Sequence, residues 1–517
     1  MNALSSSRLK PLAACLAAAL AIAPAGVLLA DPAHPVVQPM SSASVPHRSH
    51  IAQWLATSSG LTRKGLSLQQ MMDAAVAEAR AREPAPPDRS PGVTAVTSCN
   101  DSGPGTLRGA VTTAVSGDVI DLTGVSCSTI TLTSGAINAV VDDLTINGPG
   151  ASVLTVDAGS ASGVINHYGT GTIAIDGLTI INGHIAGYDY HGGACVLSAG
   201  NIAISNSNVS NCYSYTAHAY GGALCAVGSV TLDQSTLSGN TSKGHSYYYY
   251  YVGYGWYIIG GAARGGAAYA GGAFTITNSS ISHNTSYSPR LSVGGGLFTR
   301  ASGDVISGST IDNNFAGLGG GVQFLGHLSG EPYGVTIVNS TISGNTAQVS
   351  AGGVGSYRMS YLALHNSTVT DNHAEYCGGA YVYYGNADLQ STIIGGNTSV
   401  YSQNQFGLYS AADFDVFYSD ATVSGGHDAI MTSNAPLPAD TITADPMLLP
   451  LADNGGPTLT HALDPASVVI DKGSNPDNLD DDQRGQGFPR VFGPAPDIGA
   501  YESQGGIPDD IFNNGFD

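Results

Sequence analysis

From residue 93 onward, apolar and polar positions alternate in short runs: VTAVTSC, DVIDLTG, TITLTSG, DLTING and VLTVDAG, each broken by Gly, Asn or Asp. Period-two alternation over a few residues, bounded by turn formers, predicts short β-strands. Further on the runs become copies of one another. DQSTLSGN starts at Asp233, TNSSISHNTS at Thr277, SGSTIDNN at Ser307, VNSTISGNTAQVSAGG at Val338 and HNSTVTDN at His365. Each holds a small polar pair, an aliphatic residue, two residues that are polar or Gly, and then Asn.

Aligning on the aliphatic residue gives Ile180, Val209, Leu237, Ile281, Ile311, Ile342, Val369 and Ile393, with gaps of 29, 28, 44, 30, 31, 27 and 24. The long gap holds an insertion, GHSYYYYYVGYGWYIIGGAARGG. A period in the twenties with strand-like runs and no helical pattern predicts a β-solenoid whose coils stack into parallel sheets at about 4.8 Å. In that stack Asn240, Asn284, Asn314, Asn345 and Asn372 form one column, where side-chain amides bond from coil to coil and Asn tolerates a left-handed turn. Glycines such as Gly294–Gly296, Gly319–Gly321, Gly352–Gly353 and Gly378–Gly379 supply positive φ at another corner. Both sets are read as scaffold.

The chain has 517 residues, more than one compact core accommodates. An elongated repeat protein escapes that limit, because each coil buries only its neighbours' faces. Residues 1–30 read as an export signal: Arg8 and Lys10 precede LAACLAAALAIA, with cleavage expected after APA or at the Ala30–Asp31 step. Residues 31–92 read as a linker or pro-segment with one helix, SLQQMMDAAVAEARARE, stopped by EPAPPDRSPG. The solenoid is assigned to 93–400, a C-terminal capping region to 401–502 and a flexible tail to 503–517. No later segment is long and apolar enough for a transmembrane helix.

Composition narrows the partners. Charged residues are 11% of the chain, and 17 Lys and Arg against 38 Asp and Glu leave a net charge of −21. Such a surface repels nucleic acid and anionic membranes. After Cys15 six cysteines remain, an even number that favours disulfides in an exported chain. Cys99 and Cys127 flank the first solenoid segment and are expected to pair. Cys212–Cys225 is a weaker candidate, because Cys212 stands where the column asparagine would. No C-x-x-C pair occurs, and neither a metal nor a cofactor is expected.

The glycine pairs followed by Ala, at Gly192, Gly221, Gly271 and Gly378, and the Asn that closes each strand resemble right-handed parallel β-helix proteins. They are similar to the passenger repeats of chlamydial polymorphic outer-membrane proteins. The segment SCNDSGPGTLRGAVTTAVSGDVIDLTG resembles the opening of secreted bacterial β-helix proteins, which implies a short capping helix around residues 107–115. DPMLLPLADNGGPTLTHALDPASVVIDKG, DQRG and DIGAYE, within residues 445–502, resemble the choice-of-anchor Q domain. The resemblance implies an all-β, right-handed parallel β-helix with an irregular C-terminal cap, at a cell surface or outer membrane or secreted.

Enzymes on this fold use clustered Asp residues for hydrolysis, or an Arg or Lys base beside calcium-binding acids for lysis. Here Asp233, Asp304, Asp312, Asp371, Glu375 and Asp388 share no register, and Arg300 and Arg358 lie two coils apart. No catalytic set is assigned. His184, His191, His218 and His245 cluster but are read as loop residues, and the acid-rich NPDNLDDDQRGQG lacks the spacing of a calcium loop. The insertion holds Tyr247, Tyr248, Tyr249, Tyr250, Tyr251, Tyr254, Trp256 and Tyr257. It reads either as a self-packed loop or as an aromatic platform for sugar rings or a surface ligand. The leading expectation is binding or adhesion to a glycan or surface ligand. A polysaccharide lyase or glycoside hydrolase is the alternative, and a structural surface protein without a ligand is the third reading.

Overall fold

The computed structural model describes residues 88–504 except 188–189, 252–254, 327–333, 360, 402–410 and 418–420, together with residues 70, 72–74, 77–78 and 81. The expected signal peptide, most of the 31–92 segment, the tail beyond residue 504 and Tyr254 lie outside the described residues. The described chain is all-β: a parallel β-solenoid of the right-handed type with about ten turns. Each coil visits a first sheet, a second and a third before returning to the first, and from His184–Ala186 to Thr398–Ser399 a fourth sheet is added at the corner between the second and the third. In one coil these strands are Asn201–Ser205, Asn208–Ser210, Tyr213–Thr216 with His218–Tyr220, and Leu224–Ala226.

Apolar ladders fill the interior. In the first sheet Ile146, Ile175, Ile204, Leu232, Ile276, Ile306, Ile337 and Leu364 pair rung on rung. In the second sheet the anchors do the same from Val156 through Ile180, Val209, Leu237, Ile281, Ile311, Ile342 and Val369. These side chains are all but fully buried. Each contributes about 1.5–3 kcal/mol of transfer free energy relative to exposure.

The Asn side chains lie inside the turn after each anchor. Nδ2 of Asn284 donates to Oδ1 of Asn314 at 2.9 Å and to the Leu237 carbonyl at 3.0 Å, while its own Oδ1 accepts from the amide N–H of Asn240 at 2.9 Å and from Asn240 Nδ2 at 3.0 Å. Asn314, Asn345 and Asn372 repeat the pattern. Two details differ from the sequence reading. The last anchor is Ile394, because Val369 pairs with Ile394 and Thr368 with Ile393. The column therefore continues to Asn397, which accepts from Asn372. The left-handed residue is also not the column Asn but the one before it: His283, Asn313, Asp371 and the glycines Gly239, Gly344 and Gly396 have positive φ. That residue reverses the chain so that the next side chain points inward.

At the other corner Gly294 and Gly319 have positive φ as expected, but the role passes to Ala351 and Cys377 before Gly352 and Gly378. The second glycine is needed for close approach. A Cβ on Gly352 would lie 2.4 Å from the Gly378 carbonyl oxygen of the next coil. Gly271 does not occupy this corner. Its place is taken by Gly265, which is in the left-handed region, and Gly266.

At the N-terminal end the helix Leu107–Thr112 is N-capped by Thr106 and buries Leu107, Ala110 and Val111 in the main core. Cys99 and Cys127 are disulfide-bonded. A second bridge joins Cys195 to Cys212, which corrects the Cys212–Cys225 candidate. Cys195 and Cys212 belong to the interior cluster, whereas Cys225 is a free, buried thiol in a separate cluster on the outer side. The 17-residue separation of the second bridge corresponds to about 3 kcal/mol of loop entropy. A C195A/C212A chain should lose about 2–3 kcal/mol in urea unfolding; an unchanged midpoint would show that the bridge adds nothing to the stacked coils.

Parallel pairing does not stop at residue 400. Phe414–Phe417, Val423–Gly426 and Ala429–Ile430 add one more rung to the third, first and second sheets. The chain then turns back along the outer side of the second sheet. Gln483, almost fully buried, accepts from Thr341 Oγ1 at 2.6 Å and donates to Thr310 Oγ1 at 2.9 Å. His461 meets Ser343 Oγ at 2.8 Å, and Ala500 N–H donates to Thr368 Oγ1 at 3.1 Å. Among the described residues no helix is long and apolar enough to cross a membrane.

Candidate ligand-binding face

The tyrosine insertion forms an antiparallel hairpin of Ser246–Tyr251 and Gly255–Gly260, with Tyr249 opposite Tyr257 and Tyr250 opposite Trp256. Its strands pair only with each other, while Thr241–Gly244 before it and Ala262–Arg264 after it keep their places in the fourth sheet. The extra residues thus leave the stack and return without breaking it. The neck is closed by the Gly261 N–H, which donates to the His245 carbonyl at 2.9 Å.

That neck stands on an aromatic surface the sequence reading did not assign. Position anchor plus four carries His184, Tyr213, Thr241 and Thr285, which pair in successive rungs of the fourth sheet. Two residues on, Tyr215, Lys243 and Tyr287 form a parallel column. Alternation in a strand puts both columns on the same outward side. Tyr213, Tyr215, Lys243, His184 and His245 are half-buried, and Tyr287 is exposed. Their rings interlock: His184 meets Tyr213 edge-on at 5.4 Å, and His245 stacks on Tyr215 at 4.9 Å with 24° between planes. Lys243 Nζ lies 4.9 Å from the Tyr215 centroid. Burial raises the Tyr213 phenol above its ordinary range, so it is a neutral donor. Half-buried rings held by their neighbours, with a phenol hydroxyl and an ammonium among them, suit contact with sugar rings with polar groups fixing orientation.

The predicted histidines divide. His184, His191 and His218 lie on strands rather than loops. Burial, assisted by Arg264 and Arg290, lowers His218 to about 3, so it is neutral. Its Nδ1 accepts from the Ala262 N–H at 3.2 Å.

The coil acids stay apart. Rung neighbours are Thr277 for Asp233, Val335 for Asp304, Ser343 for Asp312 and Ser424 for Asp388. Asp304 serves the fold, accepting from the Phe274 N–H at 2.8 Å. Asp388 faces a histidine: His365 lies between it, at 3.4 Å, and Asp477 of the C-terminal segment, at 2.9 Å. No group of three or more His, Cys, Asp or Glu side chains among the described residues is placed to hold a metal ion.

The C-terminal motifs build an internal frame. Arg484 of DQRG pairs with Asp482 at 2.6 Å, donates to the Glu502 carbonyl, and lies between the rings of Phe488 and Tyr501 at 4.0 and 3.9 Å. Arg490 pairs with Glu502 of DIGAYE at 2.8 Å, both fully buried. In the acid-rich stretch, Asn475 closes a turn on Leu479.

No protein-family model matches this chain, and no curated protein matches it. Among solved structures, the chain is similar to one described as the crystal structure of pectate lyase Pel9A, at 14% identity and a TM-score of 0.36, over 80% of this chain and 97% of that one.

Proposed function

We propose that this chain is an exported protein that binds an extended glycan or glycan-bearing surface along the outward side of its fourth sheet. The observation that carries the reading is the cluster of half-exposed rings, Tyr213, Tyr215 and His184, with Lys243, at the neck of the aromatic hairpin. Two disulfides fit an oxidising compartment. The solenoid axis sets the direction in which a polymer lies.

The test is a glycan array with the full chain, followed by titration of the best sugar. A Y213A/Y215A chain should bind about 10–100-fold more weakly, since two ring contacts contribute about 0.5–1.5 kcal/mol each beyond area burial. Deleting the hairpin by joining Ser246 to Gly260 should weaken binding while leaving the melting transition in place. Equal affinity in both variants would remove the platform from consideration. Assaying the same incubations for new reducing or unsaturated ends tests the enzymatic alternative.

A further inference from the structure

The fourth sheet departs from the charge of the whole chain. Its strands, from His184–Ala186 to Thr398–Ser399, carry no Asp or Glu, and the fixed charges on them are Lys243 and Arg264. Arg290 stands directly before the strand Leu291–Val293. Arg264 and Arg290 act electrostatically on His218 and, together with its burial, lower it. This corner is locally positive in a chain of net charge −21. Asp233 of the same coil lies beyond Thr236–Ser238, on the first sheet, and accepts from Thr277 Oγ1 at 2.7 Å. Exposed charges more than about 8–10 Å apart are largely screened at physiological ionic strength. The overall charge therefore does not decide what this corner binds.

Lys243 differs from the cations that serve the fold. Arg89, Arg108, Arg484 and Arg490 are held by the carboxylates of Asp118, Asp101, Asp482 and Glu502. Lys243 meets no carboxylate among the described residues, and its Nζ lies 4.9 Å from the Tyr215 centroid. It stands in one outward column between Tyr215 in the coil before and Tyr287 in the coil after. Rungs are about 4.8 Å apart, so a sugar on the exposed Tyr287 ring brings its substituents within reach of the ammonium. A half-buried ammonium without a counter-ion is incompletely solvated, and an anion that reaches it recovers that loss. The third sheet has a comparable pair of rings, Tyr269 and Phe298 in successive rungs, but that stripe is buried.

We infer that the ligand of the fourth-sheet face is an anionic glycan, a chain whose sugars carry carboxylate or sulfate groups, and that Lys243 holds the acid group while Tyr287 and Tyr213 contact the sugars. The inference rests on the glycan reading above and narrows it. An ammonium on a flexible stem is a point charge, which accepts either acid group without requiring a planar partner.

The experiment titrates the full chain with alginate oligomers, dextran sulfate and dextran, which carry carboxylates, sulfates and neither. Wild type should bind one or both acidic probes at least about tenfold more tightly than dextran, and the preference should shrink as salt is raised. Tighter binding of alginate identifies a uronate chain, and tighter binding of dextran sulfate a sulfated one. K243A should lose about 10–100-fold in affinity for the acidic probe, as loss of a charge-assisted contact does. Its dextran titration and melting transition should match wild type, and K243R should keep most of the affinity. Equal binding of acidic and neutral probes, binding of none of them, or a K243A chain that holds the acidic probe as wild type does would each overturn the inference. With equal binding, a loss in Y213A/Y215A still upholds the platform. A preference that K243A abolishes and Y213A/Y215A leaves intact upholds the anion site and removes the rings.

Discussion

Asn314→Ala should destabilise the protein by about 3 kcal/mol, at the upper end for a buried polar truncation. The side chain accepts from the Asn284 N–H and from Asn284 Nδ2, and donates to Asn345 Oδ1 and to the Ile281 carbonyl. Alanine leaves the Asn284 N–H without its acceptor, takes one of two acceptors from the Asn284 amide group, which keeps the Leu237 carbonyl, and removes a donor from the Ile281 carbonyl, all in a buried site. Each buried group left unpaired costs roughly 1–3 kcal/mol. Asn345 loses one of its two donors as well. Asn314→Asp should also be destabilising, because it replaces a donor with a second acceptor facing Asn345 Oδ1. Urea unfolding followed by far-ultraviolet dichroism measures the loss. A cost under about 1 kcal/mol would mean that the coils hold together through their aliphatic ladders alone.

The second large effect is a loss of stability as pH rises. Burial pushes Asp304 up to about 7 and Asp428 up to about 8. Each has one oxygen satisfied, by the Phe274 N–H and the Thr392 N–H respectively. Between the ordinary value of 3.8 and these raised values, the folded chain keeps protons that the unfolded chain has released. Folded protein thus binds more protons across that window, and the free energy of unfolding falls as pH rises through it. A fall of roughly 3–6 kcal/mol is expected between pH 5 and pH 8.5, allowing for partial hydration of both groups. The acid side has the opposite sign. Asp118 is held below the ordinary range by Arg89, and this contribution is lost as pH falls through its depressed pKa. Maximal stability should therefore lie in mildly acidic solution. D304N/D428N keeps both accepted hydrogen bonds and should make the alkaline limb shallower, leaving the share of Glu502, which burial raises to about 7; an unaltered slope would assign the pH dependence elsewhere.

The coil period, the anchor ladder and the Asn that follows each anchor were legible because one short segment writes all three at fixed spacing. That regularity failed at Ile393–Ile394, where two adjacent aliphatic residues offered two registers, and the wrong choice hid Asn397. The Cys195–Cys212 bridge was not legible, since it joins two different turns of the solenoid, one before Val196–Ser198 and one after Asn208–Ser210. Periodicity within one strand says nothing about such a link. The Tyr213–Tyr215 face was recoverable in principle: adding four to the anchors Ile180 and Val209 gives His184 and Tyr213. It was obscured because only one of the four residues at that position, Tyr213 among His184, Thr241 and Thr285, is Tyr, so no repeated aromatic marks the face along the chain. The buried stripe at Tyr269 and Phe298 was harder still. Strands of three residues that are buried throughout, such as Ala268–Ala270 and Leu297–Thr299, do not reveal which residue points outward.

Stacked coils interact only with their neighbours, so such a rod ordinarily frays from a free end, one rung at a time. The returning C-terminal segment changes this. By bonding to Gly308 and Thr310, Ser343, Thr368 and Ser391, it touches four consecutive coils at once. A local defect among those coils cannot open without also detaching the strap. Pulled from its ends, the molecule should therefore yield unevenly: the coils before the strap peel in small steps, and the strapped block gives way in one large event.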